Sequence, residues 1–156
     1  MLLNHCVNKG IMATTTHHRR SANEKNIDEL QADTLYWDEK FLHLSEEISF
    51  LKHLLTAPVF KENLPNMFEK LQEFYNQLME LKSEKVDLHE AMRNHKNDLN
   101  GMMECEDISC ETFYHSQHQH LSNRIRQHLT RFKNLKLEIY RFCTPHLKQQ
   151  DQENLS

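Results

Sequence analysis

The fold class predicted from the sequence is all-α: an elongated, antiparallel three-helix coiled-coil bundle with disordered tails. Three observations predict it. Turn-forming residues are scarce, since the 156 residues include only two glycines, Gly10 and Gly101, and three prolines, Pro58, Pro65 and Pro145; such a chain has little material for loops and must be built from long helices. Apolar side chains recur at alternating steps of three and four over most of the chain, which is the spacing of a heptad seam. Two segments, "TAPVF" and "CEDISCE", interrupt that spacing and divide it into three runs.

The first helix is expected over about 25–57, with the seam Ile27, Leu30, Thr34, Trp37, Phe41, Leu44, Ile48, Leu51 and Leu55. Pro58 ends it, because a proline restricts the residue before it and has no N–H for the helix ladder. The second is expected over about 64–103, with Pro65 in a tolerated first-turn position and the seam Met67, Leu71, Phe74, Leu78, Leu81, Lys85, Leu88, Met92, His95, Leu99 and Met102. The third is expected over about 109–143, capped by Asp107 or Ser109, with the seam Tyr114, His118, Leu121, Ile125, His128, Phe132, Leu135, Ile139 and Phe142. Helices of this length run roughly 45 to 57 Å at 1.5 Å per residue, and short connections make neighbours antiparallel. In packing, the arrangement resembles spectrin-like and other three-helix bundles, a resemblance that implies no activity.

One domain is expected, at residues 25–147, between a polar N-terminal tail at 1–24 and a polar C-terminal tail at 148–156. The formal net charge is −4 and the mean hydropathy −0.79, and no apolar run approaches the roughly 20 residues of a membrane span. The opening "MLLNHCVNKG" is too short in its apolar stretch for a secretory signal. A cytoplasmic protein without membrane contact is therefore expected. The four cysteines, Cys6, Cys105, Cys110 and Cys143, are spread through a chain long enough to build a core, so no disulfide framework is needed and free thiols are expected.

Charge is unevenly shared. The first helix is acidic, through Asp28, Glu29, Asp33, Asp38, Glu39, Glu46 and Glu47; the third is basic, through Arg124, Arg126, Arg131, Lys133, Lys136 and Arg141. Attraction between them would favour the folded-back arrangement. The basic helix also suggests nucleic-acid binding, although no aromatic residues interleave with its arginines and no recognition motif is present.

Four polar residues stand in the seams: Lys85, His95, His118 and His128. Counting heptads back along the second helix brings His95 level with His118 near Ile27, and Lys85 level with His128 near Trp37. Two polar layers are thus expected, and their ordinary role is to penalise slipped registers. Lys85 is expected to snorkel outward or to lie against Trp37 as a cation–π pair.

Two metal sites come into question. The first is centred on His95 and His118, with Glu24, Asp28, Asp98 and His115 at the same end. The second is Cys105, Cys110, His115 and His118, in the pattern C-x4-C-x4-H-x2-H; the residue types suit zinc, but the spacing is too close for the separate knuckle and helix of a usual finger. Within "YHSQHQHLSNRIRQHL", only His118 and His128 occupy the seam, while His115 and His120 flank it on opposite sides, so the four histidines do not form one site.

No Gly-rich phosphate loop, nucleophile elbow or triad spacing occurs. Adjacent carboxylates such as Glu46 and Glu47 point about 100° apart on a helix and do not share a proton. The expected function is that of a non-enzymatic helical module that binds another protein or itself and carries no cofactor. A zinc-binding bundle is the alternative, and a nucleic-acid binder acting through the third helix comes after it.

Overall fold

The computed structural model describes residues 25–61 and 65–148. The expected N-terminal tail lies outside the described residues. Three long helices account for nearly everything within them: α1 at Ile27–Thr56, α2 at Met67–Asp98 and α3 at Ile108–Cys143.

The ends of the helices follow local chemistry. Asn26 caps α1 in a reciprocal box: its side chain accepts from the Glu29 N–H at 2.9 Å, and the Glu29 carboxylate accepts from the Asn26 N–H at 2.7 Å. This satisfies two of the donors that a helix start leaves unpaired. Ala57, held before Pro58, is extended at φ −80° and ψ 147° and ends α1. α2 starts at Met67 rather than near 64, because Asn66 adopts the left-handed conformation, φ 58°, which asparagine tolerates better than most residues; Pro65 therefore precedes the helix and does not occupy its first turn.

The other end of α2 also differs from expectation. After Asp98 the chain tightens into a 3-10 stretch, Leu99–Glu104, so the α-helical ladder stops short of 103. Gly101 lies in this stretch with the Tyr114 hydroxyl packed on it, so closely that a Cβ at 101 would collide with the phenol. Any larger residue at 101 would make the Tyr114 phenol move, whereas the backbone angles there do not call for glycine. Asp107 then caps α3, accepting from the Cys110 N–H at 2.9 Å. After α3 the chain makes a short 3-10 turn at Thr144–His146 and pairs with the segment that follows α1. Lys61 donates its N–H to the His146 carbonyl at 2.9 Å, and Lys148 donates to the Val59 carbonyl at 2.8 Å. Lys148 thus belongs to the fold, and the expected tail at 148–156 is shortened by one residue within the described part.

The core confirms an up-down-up order. Leu44, Ile48, Leu51 and Leu55 of α1 pack with Phe74, Leu78 and Leu81 of α2 and with Phe132, Leu135 and Ile139 of α3. Farther along, Trp37 and Phe41 meet Leu88, Met92, Leu121 and Ile125. Last come Leu30, Leu99 and Met102. Numbers fall along α1 as they rise along α2 and fall again along α3, so α1 and α3 run parallel and α2 runs against both. Most seam positions are buried; Ile27, Leu71, Lys85, Tyr114 and Phe142 are half-buried, and Cys143 is buried beside the last of them.

The charges of α1 and α3 meet only in part. Lys136 donates to Glu47 at 2.6 Å, but Arg131 turns to Glu84 of α2 at 2.7 Å, and Asp38 faces His89 and Lys96 of α2 at 3.7 and 3.8 Å. Arg124, Arg126, Lys133 and Arg141 are exposed.

Candidate functional site

Two polar layers separate the three apolar clusters. The deeper in chemistry lies between Trp37 and Leu30. Here α1 presents Asp33 and Thr34, α2 presents His95 and α3 presents His118. His95 Nε2 stands 2.9 Å from His118 Nδ1, and His118 Nε2 stands 2.9 Å from Asp33 Oδ2. Lys25, eight residues earlier and just before α1, also donates to Asp33. Trp37 stacks on the His118 ring, with centroids 4.8 Å apart and planes 28° apart.

This geometry fixes the protons if both rings are neutral. The Asp33 carboxylate can only accept, so His118 carries its proton on Nε2 and presents Nδ1 as an acceptor to the Nε2–H of His95. Every polar atom between the rings is then satisfied without a buried charge on either imidazole. Burial drives both histidines in that direction. It lowers His95, helped by the neighbouring His118 and only partly opposed by Asp98. It also lowers His118, outweighing the hydrogen bond and charge of Asp33, which pull the other way, while Lys25 and His115 add to the lowering. For Asp33 burial acts to raise the carboxyl, but the hydrogen bonds from Lys25 and His118 prevail and hold it below its ordinary value. The Asp33–His118 contact is therefore a hydrogen bond from a neutral ring to a carboxylate, and becomes an ion pair only when His118 is protonated.

The hydrogen-bonded chain passes between two clefts. Lys25, Asp33, His115 and His118 border one of about 400 Å³; His95, Asp98, Tyr114, His120 and Arg124 border one of about 340 Å³ on the other side. His115 is half-buried, with its Nε2 enclosed and without a hydrogen-bond partner among the described residues. His120 is exposed.

In the second layer, His128 is almost fully buried. Its Nδ1 lies 2.9 Å from Glu84 Oε2, the oxygen that Arg131 also reaches, and its ring stacks with Phe41 at 6.0 Å. Its Nε2 is enclosed without a hydrogen-bond partner among the described residues. Lys85 is half-buried and donates to Ser45 Oγ; burial, with Lys82 nearby, lowers its ammonium below the ordinary value.

The pairing of His95 with His118 matches the heptad count, but the level on α1 does not. His118 meets Trp37 and Asp33 rather than Ile27, and Lys85 meets Ser45 rather than Trp37, so the expected Lys85–Trp37 cation–π pair does not form. The cause is the connection. Phe60, after α1, folds back into the apolar cluster with Leu55 and Met67. The register on α1 shifts by about one heptad, or roughly two helical turns.

The cysteines require a second correction. Cys105 and Cys110 form a disulfide, with Cα atoms 5.5 Å apart, and are not free thiols. Cys105 ends the 3-10 stretch and Cys110 lies in the first turn of α3, so the five-residue step across the turn brings their Cα atoms to a distance a disulfide spans. Cys143 is free and buried, with its thiol raised by that burial; Cys6 lies outside the described residues. In this oxidised form neither Cys105 nor Cys110 supplies a thiolate, and both ring nitrogens of His118 are engaged by His95 and Asp33. Among the described residues, no three His, Cys, Asp or Glu side chains are grouped so as to hold a metal ion.

Asp33, Ser45 and Glu84 are the site residues that sequence reasoning did not single out. Asp33 precedes a seam threonine, and Glu84 precedes a seam lysine. A carboxylate next to a polar seam position was the available signal.

No helix among the described residues is long and apolar enough to cross a membrane. No protein-family model, curated protein or solved structure matches the chain.

Proposed function

We propose that this chain is a non-catalytic, cytoplasmic helical module that acts by binding another protein, the partner helix packing on it in coiled-coil fashion. One observation carries the reading: α1 has a second apolar stripe on the side away from the bundle. Leu35, Leu42 and Phe50 are 59%, 64% and 58% exposed. At 100° per residue they fall within about 80° of one another and roughly opposite the seam. Single exposed leucines are ordinary on a surface, but three large side chains at heptad-like spacing on one helix have the pattern of a helix-binding face.

The His95–His118–Asp33 layer has a supporting role in this reading. It fixes which turn of α1 sits against α2 and α3, and so holds the outer stripe in place. The zinc alternative loses its ligand set while Cys105 and Cys110 are joined. In a reducing cytoplasm that bond would form only on oxidation.

The test is affinity capture from cells of the wild-type chain and of a Leu35→Asp/Leu42→Glu variant, compared by quantitative mass spectrometry. The reading expects partners that the wild type retains and the variant loses, while circular dichroism shows unchanged helicity. Identical sets of captured proteins would contradict it.

A further inference from the structure

The geometry points to the chemistry of the partner: the outer face of α1 receives a basic amphipathic helix with leucine-like side chains along its apolar edge. This inference rests on the interaction reading above and adds the sign of the charge that the partner must carry.

The face is apolar along its centre and carries exposed carboxylates, with the exposed His43 and His53 beside them. Glu39 and Glu46 lie between and beside Leu35, Leu42 and Phe50, and both are exposed. Among the described residues Glu39 makes an ion-pair contact with His43 alone, at 3.6 Å, and Glu46 makes none. No lysine or arginine lies on the stripe. Lys40, the nearest, is turned over the Tyr36 ring with its ammonium 5.0 Å from the centroid.

This combination selects among occupants. Phosphate-bearing surfaces, whether nucleic acid or anionic lipid, are repelled by a face whose exposed charges are carboxylates. A second copy docking α1 against α1 would set Glu39 and Glu46 near the same residues. A second copy docking through α3 would offer exposed Arg126, Lys133 and Arg141, but little apolar surface to cover Leu42 and Phe50, since Leu137 and Tyr140 are only 37% and 39% exposed. A separate helix with leucines in its seam and Lys or Arg beside them satisfies both requirements. The leucines cover Leu35, Leu42 and Phe50, and the cations pair across the seam with Glu39 and Glu46, which is how flanking charges choose partners in helix pairs.

The experiment uses two synthetic three-heptad helical peptides with the same leucine seam, one flanked by Lys and Arg and the other by Glu. Their binding to the full chain is followed by fluorescence anisotropy at low and high salt. The basic peptide is expected to bind at least roughly ten-fold more tightly than the acidic one, with the difference shrinking as salt screens it. Leu42→Glu should abolish binding of the basic peptide. That variant adds negative charge, so adventitious attraction of a cationic peptide would be strengthened by it. A Glu39→Lys/Glu46→Lys variant should reverse the preference and bind the acidic peptide.

Equal binding of the two peptides, binding of the basic peptide that survives Leu42→Glu, or no binding of either would overturn the inference. So would a wild-type dimer in sedimentation analysis that Leu42→Glu dissolves, which would assign the face to a second copy. If cellular partners are lost with the stripe but the basic peptide is not preferred, only the sign of the charge is wrong. If partners persist without the stripe, the interaction reading itself fails.

Discussion

At the end of the bundle where α1 gives way to α2, Leu51, Leu78 and Ile139 have no exposed surface, and the core from Leu44 to Cys143 is held by apolar contact. At the opposite end, Leu30, Leu99 and Met102 form a small cluster, cut off from the rest by His95, His118 and Asp33. The first end gains from the hydrophobic effect, which is large, undirected and indifferent to protons. The second depends on hydrogen bonds whose geometry specifies one alignment of three helices and whose two histidines are held below their ordinary value by burial. One end supplies stability, and the other supplies register.

The largest expected effect is at the apolar end. Leu78→Ala should destabilise the fold by about 2–5 kcal/mol, the usual range for removing a leucine from a closed core. Denaturant unfolding should give the same loss near pH 7.5 as near pH 5.5, since no titratable group is disturbed. A strongly pH-dependent loss would show that the two ends are not separable.

A smaller effect is expected at the polar end. His118→Leu leaves the Nε2–H of His95 buried without an acceptor and should cost about 1–3 kcal/mol. Adding His95→Leu removes the orphaned group, so the double variant should be more stable than His118→Leu alone, as replacement of a buried polar pair by apolar side chains often is. If the second substitution worsens the first, the histidines are packing elements and not a hydrogen-bonded pair.

Much of this fold was legible because seams are local. The buried residues of α1, from Leu30 to Leu55, follow from spacing alone, and so do the polar seam positions His95, His118 and His128. What spacing does not contain is the vertical alignment of one helix on another. That depends on how α1 is joined to α2, where Phe60 turns inward and Asn66 takes a left-handed conformation, and Trp37 lies in the His118 layer rather than the expected Lys85 layer. Asp33 was obscure for the same reason: its role exists only once α3 is placed beside it. The Cys105–Cys110 bond was obscured because a chain able to build a core needs no disulfide framework, an argument that says nothing of the turn, where the helix start sets the distance between the two residues. The outer stripe of α1 was present in the sequence throughout, but Leu35, Leu42 and Phe50 become distinct only when the seam is known to be filled without them.

The central claim, that the polar end alone is governed by protons, is tested most directly by backbone amide exchange near pH 7.5 and near pH 5.5, corrected for intrinsic exchange rates. His95 and His118 both lie below their ordinary value of 6.5 in the folded chain. The unfolded chain therefore binds more protons as the pH falls through that value, and stability is lost on acidification. Asp33, also lowered, acts with the same sign but only as the pH falls toward and below its ordinary 3.8. The account predicts that at the lower pH protection falls around Leu30–Trp37, Met92–Met102 and Tyr114–Leu121, and persists around Leu44–Leu55, Phe74–Leu81 and Phe132–Ile139. Protection that is unchanged everywhere, or that falls equally at both ends, would contradict it.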